Sequence, residues 1–287
     1  MSFSKKNSIM TYHHVGDNTS PYLAALGPEL SLAQFRSHME FFANRYRVVP
    51  FSQLGTSQED SHELAITIDD GYLSVKDVIL PIIEEFQVPV KVFLNQEAID
   101  RGHLWLNKLS YLTCKMPHDE IHRVLSKELD IRLSESCGIQ TMMFYFWRDF
   151  DWKKTIPIVD YYFKIHHPEP IPRQFLNAED IDELSRHHLF EFGSHSRSHY
   201  PLHKLPVDVL WDEVVVHHRE LQERFPVVSG FAVPFGFKEH ITPEVERCIT
   251  EIDDKLLLSQ GGQKISGLSW KLPAVMRFGA DRLSFLT

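Results

Sequence analysis

Short apolar runs alternate along this chain with stretches of helical period. The segments 64–68 and 90–94 are almost unbroken apolar runs of five and read as strands buried on both faces, the pattern of a parallel sheet covered by helices. Leu32, Phe35, Met39 and Phe42 share one side of a helical wheel, and Ser31 followed by Gln34 makes a capping box, so 31–46 is predicted to be a helix. Further strands are predicted at 8–11, 189–192 and 231–233, and further helices at 75–86, at 178–188 behind the cap residue Asn177, and at 207–225. Thr242, Pro243 and Glu244 supply the cap, the N1 proline and the acidic first turn of one more helix. Strand and helix in alternation argue for an α/β fold built on a parallel sheet or barrel.

One stretch interrupts the alternation. Residues 103–167 are rich in aromatics (Trp105, Tyr111, Phe144, Tyr145, Phe146, Trp147, Trp152) and hold no strand-like run, so they read as a helical insertion in a βα connection. It is either a wall or lid over a site or a packing elaboration. The expectation is one domain over 1–287. Composition narrows the function: 39 Asp and Glu against 30 Lys and Arg give a net charge of −9, which offers no positive field for nucleic acid. The three cysteines, Cys114, Cys137 and Cys248, are widely spaced without a CxxC pair, which fits a reducing compartment. Residues 1–7 lead into too short an apolar run for a secretory signal, and nothing approaches a transmembrane span. A cytoplasmic protein is expected, at most docked on the inner membrane face. No signal for an oligomeric state is legible.

The chemistry is read from three motifs that each follow a predicted strand. Asp69 and Asp70, before Gly71, are two adjacent carboxylates whose burial is costly unless a cation joins them, although Asp-Asp-Gly is also ordinary turn chemistry. His195 and His199 stand four apart, a spacing that lets two imidazoles share a metal with a carboxylate from the first motif as third ligand and leaves positions open for water and substrate. Among 17 histidines such a spacing also arises by accident. The third motif, 231–236, is a strand stopped by Pro234, Phe235 and Gly236, either a groove wall or a turn.

Taken in order, Thr67-Ile68-Asp69-Asp70-Gly71 resembles the first motif of the NodB-type polysaccharide deacetylases (carbohydrate esterase family 4), His195-Ser196-Arg197-Ser198-His199 resembles their second, and Pro234-Phe235-Gly236 matches the end of their third. The resemblance spans roughly 8–280. It implies a distorted (β/α) barrel with the helical insertion, a divalent metal, zinc foremost, held by Asp70, His195 and His199, Asp69 as catalytic base, and an N-acylated amino-sugar saccharide as substrate. Two departures stand out. The arginine that usually opens the third motif is replaced by Ala232, and Arg277 resembles the arginine of a late motif in related deacetylases that could serve instead. The late Leu-x-His motif is missing, since no histidine follows His240, but Tyr12-His13-His14-Val15 resembles the Tyr-His start of rearranged members, which makes His13 the candidate acid and Tyr12 a supporting residue. The alternatives are a metal phosphoesterase and a catalytically inactive carbohydrate-binding barrel.

Overall fold

The computed structural model describes residues 7–17, 20–26, 30–56, 63–130, 148–167, 170–237, 240–253, 256–258 and 274–279. Its centre is a parallel sheet in the order β6-β5-β4-β3-β1-β9, built from β1 (Ser8–Tyr12), β3 (Glu63–Ile68), β4 (Val90–Leu94), β5 (Phe190–Ser194), β6 (Val228–Phe231) and β9 (Phe278–Gly279), with β2 (Arg47–Val48) on a side branch of β3. A second parallel pair joins β7 (Leu256–Leu258) to β8 (Ala274–Met276), which precedes β9 by one residue. Among the described residues no hydrogen bonds close the curve between β6 and β7. The α/β class and the parallel sheet are as the alternation predicted.

Strands β1, β3 and β4 are buried along their whole length, and their residues alternate between two environments. Leu64, Ile66 and Ile68 of β3, and Val90, Val92 and Leu94 of β4, point to the covering helices, where they meet Phe35, Met39 and Phe42 of α1 (Leu32–Arg45) and Ile82 and Ile83 of α2 (Leu80–Phe86). The intervening positions, Ile9 and Thr11 of β1, Ala65 and Thr67 of β3, and Lys91 and Phe93 of β4, face the other way. Thr11 and Thr67 share a hydrogen bond of 3.0 Å there, which leaves volume beside them for a long side chain.

The capping box of α1 is present, with the Gln34 N–H donating to Ser31 Oγ at 3.1 Å, while Leu32, assigned by its spacing to the buried face, is 42% exposed. A π-helical turn, Val75–Ile79, leads into α2. The helix predicted at 178–188 stops at Leu184 (α7, Ala178–Leu184), and the strand predicted at 231–233 lies three residues earlier as β6. The long helix at 207–225 is present as α8 (Val207–Trp211), a π-helical turn (Asp212–Val216) and α9 (His217–Arg224). Thr242 caps α10 (Pro243–Thr250) as expected.

Between β4 and β5 the chain makes α3 (Gln96–Arg101) and then, within 103–167, α4 (Trp105–Lys115), α5 (His118–Arg123) and α6 (Trp152–His166); Phe144, Tyr145, Phe146 and Trp147 lie outside the described residues. The described aromatics there form a core of their own, in which Leu109, Leu112, Val159 and Phe163 pack together and against Tyr22. Gly193 in β5 shows how tightly the sheet is closed on its inner side: a Cβ at that position would lie 2.5 Å from the Phe93 ring and 2.9 Å from the Ser229 carbonyl oxygen. Gly193→Ala is therefore expected to destabilise the fold by about 1–3 kcal/mol, the usual cost of overpacking. Urea denaturation checks this, and a midpoint equal to the wild type would show that the strands can part more easily than the packing implies.

Candidate active site

Parallel strands in register deliver the residues that follow them to one edge of the sheet. His13 follows β1, Asp69 follows β3, Asn95 follows β4, His195 follows β5 and Ala232 follows β6. Neighbouring strands hold these ends together: the Asp69 N–H donates to the Tyr12 carbonyl at 2.8 Å, the His195 N–H to Leu94 at 2.8 Å, and the Ala232 N–H to Ser194 at 3.0 Å.

Past that edge the backbone turns sharply. Asp70 has φ 71°, Ser196 66°, His199 57° and Phe235 59°, four non-glycine residues in the left-handed region, where side chains are disfavoured. Gly71, also left-handed at φ 71°, lies so close to Leu94 that a Cβ would come within 2.8 Å of its side chain. The turns bring Asp70, His195 and His199 together, with one ligand atom from each all within 4.8 Å of one another. Asp70 Oδ1 lies 3.7 Å from His195 Nε2 and 3.3 Å from His199 Nε2, and it is buried without a hydrogen-bond partner among the described residues. His195 Nδ1 donates to the Ala232 carbonyl at 2.8 Å, which fixes the tautomer and leaves Nε2 as an electron-pair donor. Burial drives both imidazoles down to about 4, the neutral form that binds metals.

Asp69 is 1% exposed. Burial alone would push its carboxyl up, but Arg277, followed by His195 and His13, outweighs that and holds it well below the usual carboxylate range. Arg277, fully buried, grips it with both ends of the guanidinium, Nη1 to Oδ1 at 2.7 Å and Nη2 to Oδ2 at 2.8 Å. Nη1 also reaches Thr67 Oγ1 at 3.4 Å, in the space left by the small inward residues of β1 and β3. Asp70, with no such guanidinium clamp, is raised by burial.

The remaining sequence candidates divide. His13 lies on the rim, its side chain 53% exposed and its Nε2 3.9 Å from Asp69 Oδ2. Phe235 sets its ring against His199, centroids 4.7 Å apart, while Pro234 is buried and Gly236 takes φ 50°. Tyr12 does not reach the site: its ring lies in the core against Phe35, its hydroxyl meets His38 Nδ1 at 3.2 Å, and it supports Asp69 only through its carbonyl. The side chain at this strand position points to the helix layer because β1 alternates.

Several residues that shape the site carry no motif. Asn95 Nδ2 donates to the carbonyls of His195 and Ser196. Glu213, buried in the π-helical turn, accepts the Ser198 N–H at 2.9 Å while its own carbonyl accepts the Arg197 N–H at 3.1 Å; burial pushes its carboxyl up to about 7. Tyr72 is buried beside Asp70, and burial first of all, then the charge of Asp70, raises its hydroxyl well above the ordinary value. Asn95 alone had a legible signal, its place directly after a strand.

Residues 56–248 match the family model described as polysaccharide deacetylase. No curated protein matches the chain by sequence. Among solved structures, a Streptococcus pyogenes deacetylase, PplD, in complex with acetate is similar at a TM-score of 0.59 and 11% identity over 96% of this chain and 92% of that one. A de-N-acetylase from Aggregatibacter actinomycetemcomitans gives 0.57 and 16% over 95% and 94%, and IcaB from Ammonifex degensii 0.56 and 15% over 98% and 94%. These likenesses establish the fold.

The histidines also set a pH response. Burial holds His195, His199, His203 and His218 at about 4 and His240 at about 3, with His217 lowered as well, against an ordinary value of 6.5. Between about pH 6.5 and 4 these six histidines bind more protons in the unfolded chain, outnumbering Glu213 and Asp70, which burial raises and which act the opposite way, so stability is lost as pH falls through that window. Denaturation of metal-free protein at pH 7, 6 and 5 is expected to give successively lower midpoints, and a midpoint that holds or rises toward pH 5 contradicts the assignment of neutral buried imidazoles.

Proposed function

The chain belongs to the polysaccharide deacetylase family, and from that premise we propose that it is a metal-dependent hydrolase that removes an N-acyl group, acetyl foremost, from an amino sugar during surface-polysaccharide biosynthesis. Membership makes it a hydrolase acting on amide bonds of saccharides. The finer reading rests above all on the buried Oδ1 of Asp70, which has no hydrogen-bond partner among the described residues and faces two imidazoles.

That donor set fits a divalent cation. Asp70, His195 and His199 would hold it, and two neutral imidazoles with one carboxylate are a set that suits zinc with positions left open. When bound, such an ion supplies Lewis-acid activation of a carbonyl and of water. Asp69 accepts the proton that the attacking water releases. Its clamp by Arg277 keeps it ionised and orients it, so that the carboxylate is ready before substrate arrives. His13, half-exposed and 3.9 Å from Asp69, hands a proton to the departing sugar amine and is recharged from solvent. The alanine at 232 in place of the usual arginine favours a non-catalytic barrel, whereas the guanidinium of Arg277 on Asp69 supports the catalytic reading. A phosphoesterase would want a second cation, whereas a single group of three candidate ligands occurs among the described residues.

The proposed substrate is a lipid-linked or nucleotide-linked saccharide in the cytoplasm or at the inner membrane face. Among the described residues no helix is long and apolar enough to cross a membrane.

Asp69→Asn is the direct test. Acetate release from N-acetylated glucosamine oligosaccharides is expected to fall by about 10²–10⁴-fold, the usual contribution of a general base, while bound zinc remains at the wild-type level. A thermal melt confirms that the variant is folded, since the change also weakens the partner of a buried arginine. Turnover within a few-fold of the wild type would remove Asp69 from the role of base.

A further inference from the structure

The insertion between β4 and β5 has a core of its own, yet one of its aromatics turns away from that core's purely apolar role. Trp105, the first residue of α4 and 4% exposed, donates its indole N–H to the carbonyl oxygen of His199 at 3.2 Å. His199 is the residue of the second motif whose backbone most needs holding, since it takes φ 57° with a bulky side chain. Its N–H is fixed within the loop by Ser196 Oγ at 3.0 Å. Its carbonyl is fixed from outside the loop, by Trp105.

The indole is itself locked. Phe150 packs on it with centroids 5.0 Å apart, and Tyr200, directly after His199, stands 6.4 Å away and 5.4 Å from Phe150. The same turn of α4 carries Asn107, which caps it by accepting the Leu104 N–H at 2.8 Å and donates to the Tyr22 carbonyl at 3.2 Å. The first turn of α4 is thus itself held in place and touches the backbone of a candidate ligand.

We infer that Trp105 is a positioning residue for His199 and that the insertion braces the metal centre through the first turn of α4. The inference rests on Asp70, His195 and His199 being the metal ligands. A left-handed histidine whose carbonyl loses its donor is free to relax toward ordinary backbone angles, and that motion swings its imidazole away from Asp70. Interactions one layer behind a metal ligand commonly carry a factor of about 10–100 in affinity.

The test compares Trp105→Phe, which keeps an aromatic ring and removes the donor, with Leu112→Ala, which opens a cavity in the same core with no contact to His199. A second version of the probe puts 3-benzothienylalanine at position 105, retaining the shape of indole with sulfur in place of N–H, so that a poorly folding phenylalanine variant does not decide the matter. Zinc affinity is read by competition with a chromophoric chelator, and folding by the melt of the metal-free protein. The expected result is zinc binding weakened about tenfold or more in both Trp105 variants, and unchanged in Leu112→Ala despite its lower melting temperature. Zinc binding within twofold of the wild type in the Trp105 variants overturns the inference, as does an equal loss in Leu112→Ala, which would mark the effect as general loosening. A wild-type protein that binds no zinc removes the ligand assignment itself, and this inference with it.

Discussion

Two carboxylates buried side by side at the end of β3 set the terms for the rest of the molecule. Neither can stay ionised in a dry interior without compensation, and their proximity adds repulsion to the cost of desolvation. The chain answers each differently. Arg277 is brought from the far end of the sequence to clamp Asp69 with two hydrogen bonds, and it fits because Thr11 and Thr67 are small on the inner side of their strands. Asp70 receives no such clamp and is left with an oxygen that has no hydrogen-bond partner among the described residues, beside two histidines that burial keeps neutral. One carboxylate is thereby made a fixed anion and the other a candidate ligand, by surroundings rather than by residue type.

Backbone strain follows from the same arrangement. Asp70, Ser196, His199 and Phe235 all lie at positive φ, each costing on the order of 1 kcal/mol or more, and they cluster where the strands end. The strands and their flanking groups offset that cost: Asn95 and Glu213 hold the loop 195–199 from behind, and the Ala232 carbonyl sets the tautomer of His195. The Ala232 position is instructive, because its backbone carbonyl orients the imidazole of a candidate ligand.

What could be read from the sequence depended on whether the cause was local. The apolar runs of β3 and β4, the Ser31 capping box and the Thr242-Pro243 helix start were legible because each is set by neighbours along the chain. β6 was misplaced since Ser229 and Gly230 break its apolar run, the glycine being left-handed at φ 75°. The helix behind Asn177 ends early because Leu184 is followed by turns that set Phe190 in line with Val90 of β4. The residues of the three motifs converge in space as their positions after strands suggested. Tyr12, nominated by resemblance, turns its side chain into the core, while Glu213 escaped notice and Trp105 was legible only as one of the insertion's aromatics, because a partner a dozen or more residues away leaves no local trace. Arg277 was legible only by resemblance, for nothing near it in sequence points to Asp69.

The central claim is that Asp70, His195 and His199 form one metal centre. Its most direct test is the metal content, by mass spectrometry, of untagged protein purified without chelators, beside a His195→Ala, His199→Ala double variant shown to be folded. The account predicts about one divalent ion per chain, zinc foremost, in the first and a loss to background in the second. A folded wild type that holds no metal even after incubation with zinc, or a double variant that keeps its ion, would contradict it.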